Sequence, residues 1–65
     1  MNIEDVKKRV DKIKEKITDD EIAHGMENQL WQDVLQAIAD GVENPAELAK
    51  EALKTNEVDF CRWNA

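Results

Sequence analysis

Sixty-five residues with a net charge of −6 make one small domain, and a chain of this length buries only about 60% of its unfolded surface, which excludes a large core or a deep multi-domain cleft. A single cysteine, Cys61, excludes an intrachain disulfide; with no apolar leader in residues 1–10, a reducing, cytoplasmic setting is expected. No apolar run approaches the roughly 20 residues of a membrane span, and 42% apolar with 37% charged side chains suit a highly charged helical mini-domain better than a disordered chain.

The charge is uneven. Residues 2–17 hold six basic and four acidic side chains, whereas residues 18–65 hold three and eleven. An acidic body disfavours nonspecific contact with nucleic acid or anionic membrane, where clustered Lys and Arg supply the affinity.

The first predicted helix spans residues 3–17. Ile3, Val6, Val10, Ile13 and Ile17 recur at steps of 3, 4, 3 and 4, a narrow heptad seam, and every other position from Glu4 to Lys16 is charged. Glu4 with Lys8 and Asp5 with Arg9 are i,i+4 pairs. The seam reads as the core face of a bundle or as a self-association surface, which are not exclusive, and a core-poor domain gains most from a second subunit, so a homodimer or a partner-bound state is expected over a lone monomer.

Thr18 followed by Glu21 forms a capping box, with Ile17 and Ile22 placed as a hydrophobic staple. A second helix is therefore expected over residues 19–40, close behind the first and folded back on it. Ile22, Ala23, Met26, Leu30, Val34, Ala37 and Ile38 cover one broad face that Trp31 and Leu35 widen, as suits a central helix touching two neighbours. Gly25 marks a close approach, a bend or a later helix start. Gly41 ends the helix as a left-handed glycine, with Val42 reaching back to Ala37 in a Schellman arrangement.

Asn44-Pro45 opens a third helix over residues 45–55, with asparagine as cap and proline at the first helical position. Ala46, Leu48, Ala49, Ala52 and Leu53 form its apolar stripe. Residues 58–63 carry Val58, Phe60 and Trp63 and are too apolar for a free tail. The expected fold is all-α: a small three-helix bundle with the C-terminal tail packed on the central helix.

Four constellations bear on function. Glu21-x-x-His24-x-x-Glu27 resembles a helical di-metal half-site, but such sites need carboxylates from other helices, so His24 reads as a packed histidine and no metal or other cofactor is expected. Cys61 with His24 lacks an orienting group, an oxyanion loop and a pocket, so no enzyme is expected. The second helix, turn and third helix match a helix-turn-helix in outline, yet the would-be recognition helix carries Glu47 and Glu51 beside Lys50 and Lys54 and lacks a basic excess. Asp19, Asp20, Glu21, Glu27, Asp33, Asp40 and Glu43 would instead imitate a phosphate backbone if they shared one face; otherwise they are an ordinary solvated surface.

From Ile22 onward the chain resembles a group of small bacteriophage and bacterial open reading frames. The residues that carry the likeness are His24-Gly-Met-Glu27, Leu30, the run Val34-Leu35-Gln-Ala37-Ile38-Ala39, Gly41 and Val58-Asp59-Phe60-x-Arg62-Trp63. The resemblance implies a phage or prophage setting and no particular activity. It singles out His24, Glu27, Asp59, Arg62 and Trp63. As structure, Arg62 would pair with Glu27 or Asp33 while Phe60 and Trp63 clamp the tail beside Trp31; as function, Arg62 and Trp63 would form a hot spot for a protein partner. The expected role is contact with another protein. The alternatives are an acidic inhibitor of a nucleic-acid-binding protein and a helix-turn-helix regulator.

Overall fold

The computed structural model describes residues 1–60. It is an all-α bundle of α1 (Ile3–Glu15), α2 (Asp20–Ala39) and α3 (Pro45–Leu53), continued by a 3-10 turn at Lys54–Glu57. Each helix packs against the other two, and the 3-10 turn lies against α1 as well as α3.

A reciprocal cap that the sequence reading missed starts α1. The Asn2 side chain accepts from the Asp5 backbone N–H at 3.0 Å, and the Asp5 carboxylate accepts from the Asn2 N–H at 3.1 Å. Val6, Val10 and Ile13 are buried and Ile3 half-buried, so the heptad seam is the core face of the bundle. That assigns the seam to intrachain packing and corrects its reading as a self-association surface. The helix stops at Glu15, short of the expected residue 17, and Ile17 stands 41% exposed.

The second cap is also displaced. The Asp19 side chain, not Thr18, accepts from the Ile22 N–H at 3.2 Å. With the cap at Asp19, Ile17 and Ile22 no longer occupy the staple positions, and both are exposed. Three consecutive oxygen-bearing side chains, Thr18, Asp19 and Asp20, each satisfy the local rule for an N-cap. The turn decides between them: the Lys16 N–H bonds the Ile13 carbonyl and the Asp19 N–H bonds the Lys16 carbonyl, which carries the chain one residue past Thr18 before α2 can begin.

The interior face of α2 is narrower than its composition suggests. Ala23, Glu27, Leu30 and Val34 are buried, at steps of 4, 3 and 4, while Ile22 and Leu35 face outward. Helix α2 ends at Ala39 in the expected Schellman geometry, with the Val42 N–H on the Ala37 carbonyl and the Gly41 N–H on the Ile38 carbonyl, both at 3.1 Å. Gly41 supplies the required left-handed backbone at φ 88°. Asn44 occupies the cap position of α3, but its side chain makes no capping bond; Pro45 sits at the first turn as expected. Helix α3 buries Leu48 and Ala52, and Val58 and Phe60 complete the core.

The two glycines predict opposite substitutions. Gly25 lies within unbroken helix with open space where a Cβ would project, so it marks neither a close approach nor a later start. Gly25→Ala is expected to stabilise by about 0.5–1 kcal/mol, because alanine loses less backbone entropy on folding. Gly41→Ala meets equally open space but at positive φ, and is expected to destabilise by about 1–2 kcal/mol. Denaturant titration of the two variants checks the signs; a common sign would contradict this backbone assignment.

Candidate functional site

The surface that stands out is built by α2 and α3 together. Trp31, Val34, Leu35 and Ile38 of α2 and Ala49, Ala52 and Leu53 of α3 line an open groove between the helices. Trp31 anchors its floor. The half-buried indole Nε1–H donates to the Ala52 carbonyl at 3.2 Å and to the Thr55 hydroxyl at 3.1 Å, which ties α2 to the end of α3. The groove walls carry Leu35, 66% exposed, and Leu53, 54% exposed. Such leucines are unremarkable singly; here two flank one apolar depression.

The middle of the rim is uncharged. On the helical wheel His24, Asn28, Gln32 and Ala39 lie within about 60° of Leu35, as do Asp20 and Glu21 a turn before His24, and Ala46 and Lys50 lie beside Leu53. Lys50, exposed on α3, is the charge nearest this strip along that helix. A chain with 37% charged residues thus presents a neutral, partly apolar strip along α2.

The predicted site residues do not converge on this groove. Of those among the described residues, only Trp31 lines it. Half-buried His24 stands at the N-terminal end of the neutral strip, and its enclosed Nδ1 has no hydrogen-bond partner among the described residues. Glu27 is not a surface carboxylate: it is 2% exposed, inside the bundle. Phe60 belongs to the core, whereas Asp59 is exposed, at a cleft shared with Lys14 and Ile17 of α1. Cys61, Arg62 and Trp63 lie outside the described residues, as does the proposed pairing of Arg62.

One arm of that pairing has another partner. The Arg9 guanidinium reaches from α1 to the Asp33 carboxylate at 2.8 Å, and Gln29 donates to the other carboxylate oxygen at 2.9 Å. Arg9 therefore bridges two helices and does not pair with Asp5 along its own. Glu4 likewise faces Lys7, at 3.9 Å, where Lys8 was expected. The hydrogen bond from Arg9, and then that from Gln29, hold the Asp33 carboxyl below its ordinary value of 3.8. A lowered folded-state pKa contributes stability above the unfolded value that is lost as pH falls through the folded one. Asp33→Asn is therefore expected to melt below the parent at pH 7, with the gap closing in acid below about pH 4. Melting curves across that range check this; a constant gap would contradict it.

Among the described residues no three His, Cys, Asp or Glu side chains are grouped to hold a metal ion, and no helix is long and apolar enough to cross a membrane. The sequence reading missed Leu35 and Leu53 as exposed groups, because both fit an apolar helical stripe. The available signal was charge placement: Asp33 and Asp40 project away from the strip that holds Leu35. Compared with protein-family models, with curated proteins and with solved structures, the chain matches none.

Proposed function

We propose that this protein acts by contact with another polypeptide, without chemistry of its own, and that the α2–α3 groove is the contact surface. The observation that carries the reading is the pair of exposed leucines, Leu35 and Leu53, flanking an apolar groove whose α2 edge from His24 to Ala39 is uncharged. Exposed apolar area framed by polar groups is what interaction sites present. A cytoplasmic location and a phage or prophage setting belong to the same proposal; they rest on the single cysteine and on the resemblance.

The two alternatives find less support. Of the carboxylates of the mimicry reading, Glu27 is buried, Asp33 is bonded to Arg9 and Gln29, and Asp19 caps α2, which leaves fewer to imitate a phosphate backbone. For a helix-turn-helix, α3 offers Lys50 and Lys54, and the latter is engaged by Glu51 at 2.9 Å.

Photo-cross-linking in the producing cell tests the proposal. A photoreactive side chain is placed at position 35 or 53, with position 12 on the exposed side of α1 as control. Adducts concentrated at 35 and 53 are expected. Equal labelling at 12, or none at 35 and 53, would overturn the reading.

A further inference from the structure

We infer that the polypeptide received by this face is a second copy of the same chain, so that α2 and α3 of two protomers form a four-helix bundle. The inference rests on the interaction reading above and deepens it by naming the occupant.

Charge is the first argument. Each copy carries −6, so two copies repel wherever their acidic surfaces meet. The strip of α2 from His24 to Ala39 around Leu35 carries no charge, and neither does Ala46 beside Leu53. Two copies can approach there without placing like charges in contact. A strongly basic partner would find only Asp20 and Glu21, beyond the strip's N-terminal end, to match, and an acidic partner would find little beyond Lys50. A neutral surface is complementary to itself.

Shape is the second argument. A two-fold contact is isologous: one patch must carry both the feature that inserts and the feature that receives. This face does so. The leucines protrude on the walls of the groove that Trp31, Ile38, Ala49 and Ala52 help to line. Leu35 of one copy can enter the groove of the other while its own groove receives the reciprocal leucine. Side chains at Ala39, Ala46 and Ala49 are short enough to let helices approach closely.

Size sets the strength. A helix of 20 residues is about 30 Å long. With α3 beside it at about 10 Å but only 9 residues long, the face covers on the order of 400 Å², below one side of a standard stable interface. The expected dimer is therefore weak and concentration-dependent, and unlike a charge-driven contact it does not weaken as salt rises.

Sedimentation equilibrium of the full chain tests this, with a reductant present so that Cys61 cannot link copies covalently. Over about 10–500 µM, a monomer–dimer equilibrium with a dissociation constant on the order of tens of micromolar is expected. It should be retained or tightened between about 0.05 and 0.5 M sodium chloride. Leu35→Glu with Leu53→Glu should weaken it at least tenfold with helicity unchanged, because both side chains already face solvent. Lys12→Glu should leave it intact. A monomer at every concentration, or a dimer indifferent to the leucine substitutions, would overturn the inference. The cross-linking separates the two levels. Adducts at 35 and 53 with the mass of two copies support a second copy. Adducts there with a different protein refute it while leaving the interaction reading standing, and no adducts at 35 and 53 refute both.

Discussion

Leu30→Ala should leave the chain largely unfolded, whereas Leu35→Ala should have almost no effect on stability. Both leucines lie in α2, and both fit its apolar stripe in sequence. Leu30 is fully enclosed, in one core with Val6, Val10 and Ile13 of α1 and Leu48 of α3, and Leu35 is 66% exposed. Removing a buried leucine side chain costs about 3–5 kcal/mol, transfer and cavity together. A domain of this length has only about 3–10 kcal/mol of total stability, so the loss consumes most or all of it. An exposed leucine truncated to alanine changes stability by about 0.5 kcal/mol or less. Circular dichroism with urea titration checks the pair. A cooperative transition for Leu30→Ala near the parent midpoint would mean that α2 is not rotated as described.

Trp31→Ala should be the second severe substitution, at about 3–5 kcal/mol, and its cost can be divided. Trp31→Phe keeps an aromatic ring against the core but removes the donor shared by the Ala52 carbonyl and the Thr55 hydroxyl. Thr55 is completely buried, so losing this bond in the interior costs about 0.5–1.5 kcal/mol. Thr55→Val removes the hydroxyl in turn. The double variant should cost less than the two single losses added, with a coupling of about 0.5–3 kcal/mol, because each removes the same bond. Full additivity would show that the indole and the hydroxyl do not act as a pair. The bond joins α2 to the point where α3 tightens into its 3-10 turn, so its loss should also loosen the floor of the groove.

The number and order of helices were legible in the sequence because apolar spacing agreed with the glycine and proline that punctuate it. The 3-4 seam of α1 and the glycine and proline around Gly41 and Pro45 each point to one local structure. Two kinds of feature were not legible. The first was the choice among equivalent signals: Thr18, Asp19 and Asp20 all suit an N-cap, and the turn out of α1 selected Asp19. The second was the rotation of α2 about its axis. Its residues outline a wide apolar arc, but only tertiary contact decides which part faces inward. In this fold the buried line runs through Glu27, a residue that composition assigns to the surface, because a buried carboxylate is acceptable only where the fold satisfies it. The same rotation brings Leu35 into solvent and makes the groove. The candidate surface was therefore hidden behind a correct helix assignment. Thr55 was passed over for the same reason: it is buried by tertiary packing, and the Trp31 that donates to it lies 24 residues earlier.

The placement of the α1 seam inside the bundle bears on the newborn chain. Val6, Val10 and Ile13 find their cover partly on α3, and translation at about 5–20 residues per second makes Leu48 seconds after Ile13. Helical bundles rich in local contacts fold in microseconds to milliseconds, so the ribosome, not the folding reaction, sets the interval. A helix of 13 residues is marginal alone in water, so α1 spends that interval as an open segment with its isoleucines and valines bare. The run of charged side chains between those residues then has a second use. It keeps the waiting segment hydrated and unattractive to other nascent chains until the last helix arrives to close the core.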